Sequence, residues 1–275
     1  LQAPSGVIIM SGPAGCGKTT LLYKMAQLTA NPMRKVATVE DPVEYRLPPW
    51  VTQVEINAKT RNSASVLRAL MHHDVDVIMV GVLRDLETID LSLHGAETGH
   101  LMLAPVHVIS AIDVTRRMVD VFPVEQQEQI RGMVAKSLVG IVEMRLVRVL
   151  CDRCKEPVEM SPDVIARIDA VAGQGGYAVP ATARFHRAVG CPACGHTGYR
   201  GRTGVYEVLE PDPAYRSAIL QDAGRDELFR LAVAAGMRSL AAEGIRKAAE
   251  GITSLEEVQP LVRQYAQLPA KEPAR

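Results

Sequence analysis

The sequence is poor in aromatic side chains and carries no excess of charge of either sign. Aromatic residues make up 4% of the 275 residues, and 31 lysines and arginines balance 31 aspartates and glutamates. A nucleic-acid-binding protein normally shows a basic excess, often with aromatic residues among the basic ones. Nucleic acid is therefore not expected as a partner.

Long apolar runs and an export signal are also missing. No apolar stretch approaches the roughly 20 residues of a membrane-spanning helix. The first residues, Leu1-Gln2-Ala3-Pro4, do not form a signal peptide. We therefore expect a cytoplasmic protein. Because the chain begins just before its first strand-like run, we also expect a fragment or a truncated form.

One glycine-rich segment near the start carries a specific pattern, G-x-x-x-x-G-K-T. Glycines there let successive backbone N–H groups point at phosphate oxygens, and the following helix adds its positive N-terminal end. Lys18 can reach the β- and γ-phosphates, and the Thr19 hydroxyl can ligate Mg²⁺. The alternative is a chance glycine-rich turn, but the motif follows an apolar run and precedes a helical pattern. We therefore predict an ATP site with Mg²⁺ at Gly12, Pro13, Ala14, Gly15, Cys16, Gly17, Lys18, Thr19 and Thr20.

Hydrophobic periodicity predicts an α/β fold with a P-loop, RecA-like, twisted and mostly parallel sheet. Beyond the first run, predicted strands cover 36–39, 51–56, 77–80 and 101–106. Predicted helices cover 64–72, 87–96, 111–121, 125–139, 225–235 and 240–249.

Composition divides the chain into four parts. We predict a P-loop ATPase core over 1–150, a Gly-, Pro- and Cys-rich irregular module over 151–204, and a C-terminal helical region over 205–267. Residues 268–275 are predicted to be disordered.

Four of the five cysteines form two C-x-x-C pairs, Cys151 with Cys154 and Cys191 with Cys194. Two thiolate pairs complete a tetrahedral sulfur set that favours a structural Zn²⁺ without a catalytic role. The alternatives are two disulfides, which are uncommon in a cytosolic chain, and a redox pair, which rarely occurs in two copies. Residues 155–190 between the pairs exceed the spacing of a compact zinc ribbon, so we expect an inserted helix or loop.

Further segments resemble the type II secretion and type IV pilus assembly ATPases. The cysteine pairs point to the secretion and pilus-extension branch, and the resemblance runs from about Ser5 to Gln259. The matching segments are the acidic box Glu40-Asp41-Pro42-Val43-Glu44-Tyr45, the Walker B region from Asp76 to Thr88, the histidine box from Thr98 to His107, the stretch 195–204, and the residues 236–237, 244 and 251–257.

This resemblance implies a ring of six subunits with ATP between neighbours, working on an inner-membrane platform protein to extrude a pilus-like fibre. It implies that Glu40 and Glu44 lie near Mg²⁺ or the attacking water. Arg68 and Arg84 would stabilise phosphate charge, and His100 and His107 would sense the γ-phosphate. Each residue also has an ordinary alternative: the acidic residues could form a solvated turn, and His107 could be a hydrogen-bonded core histidine.

The sequence also departs from the family pattern. The family normally has Gly-Glu at the end of its Walker B strand, whereas Val82 follows Gly81 here. The histidine box reads Ala104-Pro105-Val106-His107-Val108, which lacks three hydroxyls of the usual pattern. Valine cannot orient a water, so we expect nucleotide binding with weakened hydrolysis.

Three functions remain open from the sequence. The first is a working or slow motor ATPase at the cytoplasmic face of the inner membrane. The second is a catalytically degenerate, nucleotide-binding ring subunit or regulator. The third, an unrelated P-loop protein with a zinc ribbon such as a nucleic-acid motor, is disfavoured by the balanced charge.

Overall fold

A computed structural model describes residues 1–56, 62–83 and 85–263. Its strands are β1 (Gly6–Ser11), β2 (Val36–Glu40), β3 (Val51–Glu55), β4 (Val77–Val80), β5 (Leu101–Pro105), β6 (Leu138–Leu150), β7 (Glu156–Pro157), β8 (His186–Arg187) and β9 (Tyr199–Leu209). Seven of them form one sheet in the order β3-β2-β4-β5-β1-β6-β9, and β7 and β8 form a separate two-stranded antiparallel sheet.

The described residues also form ten α-helices, of which the last four follow β9. They are α1 (Lys18–Thr29), α2 (Ser63–Met71), α3 (Leu86–Glu97), α4 (Ala111–Asp120), α5 (Val124–Ser137), α6 (Pro162–Gln174), α7 (Pro213–Leu220), α8 (Arg225–Ala234), α9 (Leu240–Ala249) and α10 (Leu255–Arg263). Over the part of the chain described, none of them has the length and apolar character that crossing a membrane would require.

The sheet is parallel across its central strands. Strand β1 pairs in parallel with β5 on one side and with β6 on the other, and β2 pairs in parallel with β3 and β4. Every residue of β1, β4 and β5 is buried, as expected for parallel strands covered by helices on both faces. Because the strands run the same way, the carboxyl ends of β1, β2, β4 and β5 meet at one edge. That edge is where ligands bind in open α/β sheets.

The chain divides into two compact units. Unit 1 comprises Leu1–Met144 and Val208–Ala235, and unit 2 comprises Arg145–Glu207 together with the residues from Gly236 on. In unit 1, α1 packs on the sheet through Leu22, Tyr23 and Met25, which join strand residues such as Met10 and Leu103 in one apolar cluster.

Unit 2 has its own core. Ile168 and Ala172 of α6 pack against Ala241 and Ile245 of α9 and against Val258 of α10. The helix or loop expected between the two cysteine pairs is a helix, α6, flanked by the antiparallel strands β7 and β8.

The predicted fold class is confirmed, but four strands, β6 to β9, were not predicted. The predicted helix over 125–139 ends at Ser137, where the long strand β6 begins, and the module over 151–204 is less irregular than expected because β9 starts within it. The Gly201 and Gly204 interruptions hid the strand pattern of β9. The four-part domain division stays a prediction, and residues 264–275, including the predicted tail, lie outside the described residues.

Candidate nucleotide site and metal centre

The glycine-rich segment lies between the end of β1 and the start of α1. Gly12 and Gly17 have φ angles of 137° and 100°, which only glycine adopts readily. Gly17 is the N-terminal cap of α1 and supplies no side chain. The backbone N–H groups at the start of α1 are therefore available to an anion, and the helix dipole favours negative charge there.

Lys18 is the first residue of α1, and its ammonium group lies over the loop. The Lys18 Nζ donates hydrogen bonds to the carbonyl oxygens of Gly12 and Pro13, each at 2.7 Å. In a P-loop the lysine reaches the β- and γ-phosphates, so Lys18 would exchange these carbonyl oxygens for phosphate oxygens when a nucleotide binds.

An open cavity of about 610 Å³ lies in front of this loop. One side is formed by the loop residues Ala14, Gly15, Gly17, Lys18, Thr19 and Thr20; Gly12, Pro13 and Cys16 do not line it. The other side is formed by residues at the carboxyl ends of β2, β4 and β5, among them Glu40, Asp41, Glu44, Val82, Asp85 and His107. The structure thus brings the P-loop, the acidic box and the second histidine of the histidine box together.

Glu40 is the most constrained carboxylate of this cavity. It is 4% exposed, and its oxygens accept hydrogen bonds from the Tyr23 hydroxyl, the Thr38 hydroxyl and the Gln53 amide. A carboxylate offers about four acceptor positions. Three of those of Glu40 are therefore committed to protein groups, which fixes its orientation and limits its contact with water.

Glu44 and His107 are both exposed at the cavity. The backbone N–H of Glu44 donates to the Tyr23 hydroxyl at 3.0 Å, which fixes the backbone next to its side chain. The residue after His107 is held in a similar way. The buried Ser11 hydroxyl donates to the carbonyl oxygen of Val108 at 3.0 Å and so holds the segment after β5 beside the P-loop.

The structure separates the other candidates from this cavity. His100 precedes β5, and its carbonyl oxygen accepts from the N–H of Gly6 at the amino end of β1. Its buried ring contacts the carbonyl oxygen of Gly95 and the hydroxyl of Thr98. Because the P-loop lies at the opposite ends of these strands, His100 does not line this cavity, and its role as a sensor of the γ-phosphate stays a prediction.

Two predicted arginines have different outcomes. Arg68 lies on α2, is exposed, and forms an ion pair of 2.6 Å with Glu87. It does not line the cavity, and its role in stabilising phosphate charge stays a prediction. Arg84 lies outside the described residues.

The four cysteines of the C-x-x-C pairs converge in unit 2. Their sulfur atoms all lie within 4.8 Å of one another. The sulfurs of Cys151 and Cys191, and those of Cys154 and Cys194, are 3.9 Å apart, and those of Cys191 and Cys194 are 3.8 Å apart. Tetrahedral coordination with bonds of about 2.3 Å places sulfurs about 3.8 Å apart, whereas a disulfide requires about 2.05 Å. This cluster could hold a metal ion.

Backbone groups already favour a thiolate in this cluster. The N–H groups of Cys191 and Gly198 donate to the Cys194 sulfur at 3.2 and 3.3 Å. Burial alone would raise the pKa of this thiol, but these donors and the neighbouring cysteines lower the pKa of Cys194 to about 6. Such hydrogen bonds are the outer-shell contacts that orient metal-binding thiolates.

The comparison with protein families decides the relationship. The family described as "Type II/IV secretion system protein" matches residues 1–260. The chain belongs to this family. The resemblance seen in the sequence is thereby confirmed.

Individual secretion-system relatives cover nearly the whole chain. Type II secretion system protein HxcR of Pseudomonas aeruginosa is 39% identical over 265 residues, which is 96% of this chain and 50% of HxcR. Type II secretion system ATPase E of Vibrio cholerae is 35% identical with the same coverage of both chains, 96% and 50%. Type IV pilus assembly ATPase PilB of Thermus thermophilus is 35% identical over 94% of this chain and 28% of PilB. The chain thus spans about half the length of these type II relatives, and less of PilB.

Solved structures agree on the fold. The pilus retraction motor PilT with bound ADP superposes with a TM-score of 0.69 at 28% identity, over 94% of this chain and 61% of PilT. The ATPase DotB of Legionella pneumophila superposes with a TM-score of 0.67 at 22% identity, over 95% of this chain and 61% of DotB. At that identity, the likeness to DotB supports the fold alone.

The position of Val82 gives the departure from the secretion-family pattern a structural meaning. Gly81 donates its N–H to the carbonyl oxygen of Val39 at 2.7 Å, so the end of β4 lies beside Glu40 at the end of β2. Val82 is half-buried and lines the cavity, rather than facing only the core. An apolar side chain therefore occupies a wall of the candidate nucleotide site of this secretion-family chain.

Sequence reasoning missed several lining residues. Asp85 caps α3 by accepting from the N–H and the hydroxyl of Thr88, each at 2.9 Å, and both residues line the cavity. Asp is a favoured N-cap residue, so an aspartate just before the predicted helix over 87–96 is the signal that predicts this cap. Tyr23 carried no such signal, because a tyrosine on the buried face of a helix has the pattern of an ordinary core residue.

Proposed function

We propose that this chain is the ATP-binding part of a type II secretion or type IV pilus assembly motor, with slow ATP hydrolysis. One observation carries the proposal. The P-loop with Lys18 and Thr19 faces a cavity whose opposite wall holds Glu40, Asp41, Glu44 and His107. The names of the relatives support it, since they include a type II secretion system ATPase, a pilus assembly ATPase and a pilus retraction motor.

Each residue has a role that its chemistry permits. The P-loop N–H groups and Lys18 bind the phosphates of ATP, and the Thr19 hydroxyl contributes a ligand to Mg²⁺. When bound, Mg²⁺ neutralises charge that develops on the phosphate oxygens. Glu44, whose carboxylate is exposed at the cavity, orients the attacking water, while the buried Glu40 keeps the acidic segment in place. His107 contacts the γ-phosphate.

Val82 favours a second candidate function. A chain with valine in place of the family glutamate keeps the phosphate-binding loop. It lacks one carboxylate that could accept a hydrogen bond from the attacking water and orient it. The alternative is a nucleotide-binding ring subunit or regulator that does not turn over ATP. A single preparation tested for MgATP binding, for steady-state phosphate release and for oligomeric state separates the two functions. Measurable turnover supports the motor, and binding without turnover supports the regulator.

We also propose partners and a location by analogy with the family. The chain assembles with copies of itself as a hexamer and works with an inner-membrane platform protein and other secretion or pilus components. Its place is the cytoplasmic face of the inner membrane, and nucleic acid is not among its partners. The oligomeric state recorded in the same experiment tests the hexamer.

We propose Zn²⁺ as the ion of the cysteine cluster, because four thiolates at tetrahedral spacing suit zinc. One Zn²⁺ per chain is expected by elemental analysis of protein purified under reducing conditions. Chelation is expected to speed the proteolysis of residues 151–204 and to leave the P-loop segment unaffected, because the metal supports only the segment that it ties together.

A matched pair of variants tests the zinc assignment. Cys194→Ser removes one ligand and is expected to lower the zinc content well below one per chain. Cys16→Ser makes the same change outside the cluster and is expected to keep the metal. Equal zinc content in both variants, or no zinc in the parent, would show that the cluster does not hold this ion.

A further inference from the structure

Tyr23 connects the helix that begins at the P-loop with the acidic segment on the other side of the cavity. It lies five residues after Lys18 on α1, is 6% exposed, and its side chain reaches the cavity wall. Its ring packs in the apolar cluster that α1 forms with the sheet, and its hydroxyl is the polar end of the side chain.

The Tyr23 hydroxyl uses its donor and its acceptor capacity at once. It donates to the Glu40 carboxylate and accepts from the backbone N–H groups of Glu44 and Tyr45, at 3.0 and 3.2 Å. A hydroxyl has one donor and two acceptor positions. All three positions of Tyr23 are therefore filled, and all three bonds go to the acidic box of residues 40–45.

The protonation state of Tyr23 suits this role. Burial, together with the hydrogen bond to Glu40, raises the pKa of Tyr23 to about 12. The phenol therefore keeps its proton throughout the neutral range and continues to donate to Glu40.

Gln53 of β3 makes a second connection to the same segment. Its amide nitrogen donates to Glu40 at 3.1 Å and to the carbonyl oxygen of Tyr45 at 2.9 Å, and its oxygen accepts from the N–H of Leu47 at 2.7 Å. Gln53 holds the acidic segment to the sheet, whereas Tyr23 alone among these side chains holds it to the P-loop helix.

We propose that Tyr23 is a positioning residue that fixes Glu44 relative to the phosphate-binding end of α1 and thereby sets the rate of hydrolysis. This inference rests on the proposed function, because Glu44 is the group expected to orient water. A displacement of about 1 Å in such a group costs up to about 100-fold in rate, while phosphate binding by the P-loop does not involve the phenol.

Tyr23→Phe removes only the hydroxyl and tests the proposal. We expect kcat for ATP hydrolysis to fall about tenfold or more, while the Kd for MgATP changes by less than about threefold, as for an interaction needed only in the transition state. Tyr45→Phe is the matched control: its exposed ring packs edge-on against Tyr23 at 5.3 Å, and it loses a hydroxyl without affecting the backbone bonds. Unchanged kcat in Tyr23→Phe, or an equal loss in kcat and in affinity, would overturn the proposal.

Amide hydrogen exchange without nucleotide separates this proposal from the proposed function. The amides of Glu44 and Tyr45 are expected to be protected in the parent, to exchange faster in Tyr23→Phe, and to stay protected in Tyr45→Phe. If the parent fails to hydrolyse ATP, the proposed motor activity fails, and this exchange pattern alone decides whether Tyr23 fixes the segment. Rapid exchange of both amides in the parent would overturn the proposal even if Tyr23→Phe does not fold.

Discussion

Lys18→Ala is expected to weaken MgATP binding by about 10- to 150-fold. The ammonium group lies over the loop, bonded to the carbonyl oxygens of Gly12 and Pro13, where it can turn to meet phosphate oxygens. A hydrogen bond to a charged group is worth about 1.5–3 kcal/mol, which corresponds to that range of affinity. Titration with a fluorescent ATP analogue measures the change.

Lys24→Ala is the matched control for this prediction. Lys24 lies on the same helix, is exposed, and its ammonium group contacts only the side chain of Gln27 among the hydrogen bonds described for it, at 3.3 Å. The Lys24→Ala variant loses the same charge as Lys18→Ala, but at a distance from the loop, so its affinity for ATP should match that of the parent. If Lys18→Ala bound the analogue as tightly as Lys24→Ala, the cavity in front of α1 would not be the phosphate site.

Val82→Glu is expected to raise the rate of ATP hydrolysis by at least tenfold without tightening ATP binding. Val82 lines the cavity beside the end of β2, so a glutamate there would reach the space in front of the P-loop. Positioned acid–base groups contribute about 10²–10⁴-fold to enzymatic rates. Steady-state phosphate release and ATP titration on the same preparation measure the two effects separately.

Val82→Gln provides the control for charge. Glutamine has the size of glutamate, but its amide oxygen is a weaker hydrogen-bond acceptor than a carboxylate. A gain in the rate of ATP hydrolysis with glutamate alone would therefore identify the carboxylate as the cause. A parent that already hydrolyses ATP rapidly, with no gain from Val82→Glu, would mean that another group performs the chemistry.

The nucleotide site could be predicted from the sequence as far as its parts are local. The P-loop is a continuous segment whose chemistry depends on backbone shape, and the strands β2, β4 and β5 are short apolar runs with clear ends. Parallel pairing then brings their carboxyl ends together without further information. The expectation that Glu40, Glu44 and His107 act at the nucleotide came from the family resemblance, and all three line the cavity in front of the loop.

The remaining parts depend on contacts between distant segments. His100 lies only seven residues before His107, but β5 runs between them and carries the two to opposite ends of the sheet. Tyr23 has the pattern of a core residue until the acidic segment is folded over its hydroxyl. The long strands β6 and β9 were missed because their register is fixed by neighbours rather than by their own turn residues.

The place of β1 in the sheet has a consequence for how the protein folds. β1 lies between β5 and β6, and Ser11 pairs with Glu143, roughly 130 residues further along the chain. Such distant pairing is slow to form, because the loop between the partners must close before any contact is gained. At about 5–20 residues per second, the ribosome needs roughly 7–25 s to make that length of chain. β5, the other neighbour of β1, is itself about 95 residues away, so both edges of β1 are unpaired until β5 is made, and one edge stays unpaired until β6 is made. A chaperone that protects nascent strands would be most useful during that interval.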